Sequence, residues 1–170
     1  IGLHTTGITK RRFLPNLQTV RTTDGKGRVE ELTLEEIRKL RLQNCSEPVP
    51  TLEDVLECFK GRGDVFIELE MKATPGHYYR PAVLEEYCRK LEAKAREMLC
   101  PGTYAFTCFN TNTLATMKKV APAAPIGYII TGTFDDSHIA TALSLGCCSV
   151  APIGRNSSKE MVDKAHAAGL

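Results

Sequence analysis

The chain has no tryptophan, and aromatic residues make up only 6% of its 170 positions. The stacking platforms of single-strand nucleic-acid binders are therefore missing. No apolar run reaches the roughly 18–20 residues that a membrane-spanning helix requires, so no transmembrane segment is expected. Charge of one sign is lacking too: 22 Lys+Arg against 20 Asp+Glu leave +2. Such a balance creates no field to recruit nucleic acid or an anionic membrane. The seven cysteines (45, 58, 88, 100, 108, 147 and 148) contain no C-x-x-C pair, which removes zinc-ribbon and thioredoxin readings. What remains, 42% hydrophobic and 25% charged, is the composition of a globular chain rather than a disordered one. The length is that of one domain, read here as residues 1–170.

Cys58, Cys88 and Cys108 each lie inside an apolar pattern and are expected to be buried as small hydrophobes. Unpaired thiols suit a reducing compartment, hence a cytoplasmic location. The chain opens on Ile1 without a charged n-region or cleavage signature. It stops at Leu170, just past a helix, and reads as a partial chain.

Helix starts are written in the local chemistry. Thr33-Leu-Glu-Glu36 is a capping box opening a helix from about Leu34 to Leu40. Pro50-Thr51-Leu-Glu-Asp54 repeats the device with Asp and opens a helix through Phe59, stopped by Gly61, with Leu52, Val55, Leu56 and Phe59 on one face. Pro81 begins the longest helix, through about Leu99, with Leu84, Tyr87, Leu91 and Ala95 as its buried stripe. Further helices are expected at about Thr111–Val120, Asp136–Leu145 and Ser158–Ala168, the last opened by the box Ser157-Ser-Lys-Glu160. Between them lie apolar runs of strand length at 65–70, 104–108, 126–130 and 148–151, and Ile1-Gly-Leu-His4 reads as the tail of another. Strand and helix alternate, the pattern of parallel βα units. Five units fit either a flavodoxin-like open sheet or part of a (β/α)₈ barrel, and periodicity leaves both open.

One strand is unusual. In Glu68-Leu69-Glu70-Met71-Lys72 the alternation of an extended chain places Glu68, Glu70 and Lys72 on one face, at the carboxyl end where both architectures gather ligands. An inward carboxylate needs a metal or a cation to offset its burial. The simpler reading is a Glu70–Lys72 surface pair. His4 occupies the equivalent end of its own strand.

Five ordered motifs bear on this choice: Arg21-Thr-Thr-Asp-Gly-Lys-Gly27, Val49-Pro-Thr-Leu-Glu-Asp54, Ile67-Glu-Leu-Glu-Met-Lys72, Cys108-Phe109-Asn110 and Ala165-His166-Ala-Ala-Gly169. Together they closely resemble the glycerophosphodiester phosphodiesterases, a family with R-T-T-x-G-x-G, P-T-L-E-x-V-L, E-x-K, S-F-N and A-H-x-x-G in that order. The resemblance implies a (β/α)₈ TIM barrel of which strands about three to seven are present. It implies metal-dependent hydrolysis of glycerophosphodiesters to glycerol 3-phosphate and an alcohol. Carried over position by position, Glu70 is implied as a ligand of a divalent cation, Ca²⁺ or Mg²⁺, and Lys72 as a contact to the substrate phosphate. His4 is implied as the catalytic histidine of an H-D motif in which Thr5 stands where the family has Asp. Glu68 falls where the family often has a neutral residue and receives no role; His166 lies outside the family's chemistry, and His77 and His138 match nothing catalytic.

Two other readings stand beside it. A degenerate relative would bind a phosphorylated ligand or a protein partner without catalysis. An unrelated open-sheet enzyme would use Lys72 as a Schiff base. The thiols give the first test: titration in denaturant without reductant is expected to count seven, and five or fewer would reject the reducing-compartment reading.

Overall fold

The structure, a computed structural model, describes residues 23–26, 32–43, 45–72 and 81–170. The expected strand tail ending at His4, and His77, lie outside these residues. The order is α1 (Leu34–Lys39), α2 (Leu52–Glu57), β1 (Ile67–Glu70), α3 (Pro81–Met98), β2 (Tyr104–Cys108), α4 (Thr111–Val120), β3 (Ile126–Ile130), α5 (Asp136–Leu145), β4 (Ser149–Pro152) and α6 (Lys159–Ala167).

The caps act as expected on α1 and α2. Thr33 Oγ1 accepts from Glu36 N and Thr51 Oγ1 from Asp54 N, while each carboxylate accepts from its threonine's own N–H at 2.7 and 2.8 Å. Both boxes satisfy donors that a helix start otherwise leaves unpaired. For α6 the cap is Ser158, accepting from Met161 N, and not Ser157. Ser157 is used by the preceding 3₁₀ turn at Gly154–Asn156: its N–H donates to Gly154 O and its hydroxyl to Ile153 O. The stripe of α3 is Leu84, Cys88, Leu91 and Ala95, with Tyr87 half-buried. Cys58 also departs from expectation. It keeps helical backbone angles as the α2 C-cap but lies off the Leu52, Val55, Leu56 and Phe59 face, and is exposed.

The four strands form one parallel sheet in the order β1-β2-β3-β4. This order decides between the two architectures. In the five-stranded flavodoxin-like order 2-1-3-4-5 the first strand separates the second from the third, and no four chain-consecutive strands lie side by side. A barrel adds each βα unit on the same side of the last, and right-handed crossovers then keep the helices on one face. The described strands are an arc of a (β/α)₈ barrel, open at β1 and β4 among the described residues.

Alternation divides the sheet into two faces. Leu69, Met71, Tyr104, Phe106, Cys108 and Ile126 meet α3 and α4 in the main core. A second cluster, Ile130, Phe134, Ile139, Met161 and Ala165, fastens α5 and α6. The opposite face carries Ala105 and Ile129 and, between them, a row of small or polar residues. By register Glu70 lies beside Thr107, Thr107 beside Gly127, and Gly127 beside Ser149.

Gly127 is required in this row. A Cβ there would lie 2.7 Å from Ser149 Oγ and 3.0 Å from Thr107 Cγ2. Gly127→Ala is expected to lower unfolding free energy by about 1–3 kcal/mol through overpacking. Adding Ser149→Ala should recover part of the loss, measured by chemical denaturation. An unchanged midpoint for the single variant would show that the row tolerates bulk.

Candidate active site

The site grows from the two faces of β1. Leu69 and Met71 are anchored in the core, which turns Glu70 and Lys72 to the other side. There they form an ion pair, Lys72 Nζ donating to Glu70 Oε1. The side chains are 29% and 34% exposed, so the pair is neither a free surface bridge nor a sealed one. Pairs of this kind contribute little net stability, about 0–1 kcal/mol when exposed, and can be parted by ligands of opposite charge. Glu68 on the same face is exposed. A cavity of about 200 Å³ adjoins Glu70; Glu68 and Thr107 line it, and so do the core residues Leu52, Leu69 and Leu91.

Neighbouring groups hold the carboxyl ends of β1 and β2 together. Met71 N donates to Thr107 O at 2.7 Å, continuing the ladder past Glu70. Cys108 Sγ donates to Met71 O and accepts from Asn110 N. Asn110 in turn caps α4, its side-chain oxygen accepting from Asn112 N and Thr113 N. Part of the family-like Arg21-to-Gly27 turn is also fixed: Asp24 N donates to Arg41 O, Arg41 N to Asp24 Oδ1, and Gln43 Nε2 to Thr23 O.

The structure thus brings Glu70 and Lys72 into contact, and His4 lies outside the described residues. His166 is exposed on α6. His138, which matches nothing catalytic in sequence, has a clear place: its Nδ1 donates to Asp135 Oδ1 at 2.7 Å, since a carboxylate can only accept. Its ring stacks on Tyr128, with centroids 6.1 Å apart. Asp135 also caps α5, accepting from Ser137 N and His138 N. Thr107 carries no sequence signal either, because threonine is ordinary in a strand. Burial pushes the Cys88 thiol up to about 12 and the Cys147 thiol up to about 11, so neither is an activated nucleophile.

The donor chemistry suits a hard cation. Among the described residues no group of three or more His, Cys, Asp or Glu converges. Mg²⁺, however, is commonly held by one or two carboxylates together with water and substrate phosphate, and the Glu70 carboxylate beside the cavity fits that pattern.

The described strands form an arc of a β/α barrel, a fold that gathers its ligands at the carboxyl ends of its strands, where the Glu70–Lys72 ion pair lies. Residues 17–170 match the sequence model of the glycerophosphoryl diester phosphodiesterase family, and the chain belongs to that family. A glycerophosphodiester phosphodiesterase of Caldanaerobacter subterraneus subsp. tengcongensis is 31% identical over 150 residues, covering 84% of this chain and 58% of that protein. The chain therefore spans somewhat more than half the length of this relative. A phosphodiesterase of Oleispira antarctica, solved in complex with the product sn-glycerol-3-phosphate, matches with a TM-score of 0.76 at 20% identity, over 92% of this chain and 63% of that one. A glycerophosphodiester phosphodiesterase of Agrobacterium tumefaciens gives 0.64 at 21% identity, over 91% and 63%. These two likenesses show the shared fold.

The α5 cap has a pH consequence. Hydrogen bonds from Ser137, then from His138, hold the Asp135 carboxyl down at about 2. The folded value lies below the ordinary one of about 3.9, so the stabilisation is full above the ordinary value and fades as pH falls towards 2. Asp135→Asn keeps a capping oxygen but does not titrate there. Its melting temperature is expected to fall less steeply than the parent's between about pH 5 and pH 2. Equal slopes would remove Asp135 from the acid response.

Proposed function

We propose that the chain carries part of the active site of a phosphodiesterase that hydrolyses glycerophosphodiesters to glycerol 3-phosphate and an alcohol with the aid of a divalent cation. The observation that carries this reading is the Glu70–Lys72 pair at the carboxyl end of β1, in a chain of this family. The product held by the Oleispira antarctica relative fits the same substrate class.

The pair describes a resting state. Arrival of a phosphodiester anion gives Lys72 a better-matched partner, and its ammonium then offsets phosphate charge as a point cation. Glu70, released from Lys72, presents a carboxylate to a hard cation, Mg²⁺ or Ca²⁺. When bound, such an ion withdraws charge from the phosphoryl oxygens. His4 supplies acid/base catalysis in this reading, with an imidazole that titrates near neutral pH. The glycerol 2-hydroxyl loses its proton and forms the new bond to phosphorus while the bond from phosphorus to the head-group oxygen breaks, and that oxygen takes up a proton to leave as the alcohol; water then opens the cyclic phosphate to give glycerol 3-phosphate. The small face formed by Thr107, Gly127 and Ser149 leaves room beside the pair. Among the described residues no helix is long and apolar enough to cross a membrane. The reducing, cytoplasmic setting in this reading rests on the cysteine spacing, which offers no disulfide framework.

In the full-length protein, Glu70→Gln is expected to lower kcat on glycerophosphocholine by roughly 100-fold or more, the scale of losing a charge-stabilising element. Its circular dichroism should match the parent's. Near-normal turnover with the parent's metal dependence would reduce the Glu70–Lys72 pair to a surface ion pair.

A further inference from the structure

Thr107 sits at the centre of the open face, 1% exposed, beside Glu70 in the β1–β2 register. Its hydroxyl is buried and has no hydrogen-bond partner among the described residues. Native structures rarely leave such a group unpaired, because desolvation of a hydroxyl is not recovered unless something bonds to it. Valine has the same shape and suits a buried parallel strand better. A hydroxyl at this position therefore calls for a partner.

Its surroundings show where that partner lies. The Thr107 methyl is turned to β3, 3.0 Å from the point where a Gly127 side chain would begin, and Ser149 Oγ closes on the same point from β4. That side of Thr107 is filled by its own methyl. On the β1 side stands Glu70, whose hydrogen bonding among the described residues is limited to the one oxygen that accepts from Lys72. Glu70 and Thr107 line the same cavity. A buried hydroxyl with no partner among the described residues thus stands in the strand next to a carboxylate with a spare oxygen.

We infer that Thr107 is a positioning residue of the Glu70 cation site, its hydroxyl hydrogen-bonding a water of the bound ion's shell and so fixing the ion against the carboxylate. This rests on the reading above, in which Glu70 holds a divalent cation. Outer groups that orient a metal's ligands typically change its affinity by roughly 10–100-fold when lost. Thr107 would act in this way through a bound water.

The test uses the full-length protein, its Thr107→Val, Thr107→Ser and Glu70→Gln variants, and Mn²⁺ and Mg²⁺ as probes. Affinity is read by calorimetry, and melting temperature is read with and without the ion. Thr107→Val is expected to raise the Kd for Mn²⁺ roughly tenfold or more, whereas Thr107→Ser, which keeps the hydroxyl, stays near the parent. Without metal, Thr107→Val should melt at or above the parent, since it removes an unpaired buried hydroxyl, and its metal-induced rise in Tm should shrink. Parent-like Mn²⁺ affinity in Thr107→Val, with affinity lost in Glu70→Gln, would overturn the role of Thr107 and leave the Glu70 reading intact. Parent-like affinity in Glu70→Gln as well, or no binding by the parent, would overturn both. If Thr107→Val melts well below the parent without metal and Thr107→Ser does not, the hydroxyl serves a structural bond and the inference fails.

Discussion

The register between β1 and β2 is the constraint on which the rest depends. Ile67 N bonds to Thr103 O, and Met71 N to Thr107 O, so the two strands can meet in only one alignment. A slip by one residue would turn every side chain of β1 to the other face. Leu69 and Met71 would then leave the core, forfeiting about 1.5–3 kcal/mol each, and Glu70 and Lys72 would enter an apolar layer that has no partners for them. Core packing and site placement therefore select the same register. The same alternation that hides Met71 completely sets the Glu70–Lys72 pair on the opposite, partly exposed side.

How much of this is legible in sequence follows from the range of the interactions. The caps of α1, α2, α4 and α5 are made by residues within three positions of the groups they satisfy. The expected bounds of α4 and α5 accordingly coincide with the observed ones. Errors arise where a neighbour competes. Ser157 looks like a cap until the 3₁₀ turn before it takes both its N–H and its hydroxyl. Cys58 sits between apolar neighbours in sequence, yet the helical turn sets it off the face formed by Leu52, Val55, Leu56 and Phe59. Strand order is a long-range property and has no local signature, so barrel and open sheet could not be separated before the pairing of β1 to β4 was known. Glu70 and Lys72 were legible because two charges at alternate positions in an apolar strand are unusual. Thr107 was not, since its meaning comes from a missing partner. The role of His4 comes from family resemblance alone.

The Glu70–Lys72 pair also explains how a charged site can coexist with a marginally stable domain. Each partner neutralises the other, so neither stands as an uncompensated half-buried charge. Around the pair the protein keeps residues that fill little space: threonine, glycine and serine in one row across three strands. Cys108, donating to Met71 O while accepting from Asn110 N, ties the end of β1 to the cap of α4 and stiffens that floor from behind.

The chain-consecutive strand order has a kinetic side. Among the described strands each finds its partner in the next one along the chain, across a single helix. Loop closure is then repeatedly short, and its entropic cost grows only slowly with loop length. Topologies dominated by such near contacts fold faster than those built on remote pairings. A molecule of this design can assemble as a growing arc during translation, each new βα unit docking on a template already formed.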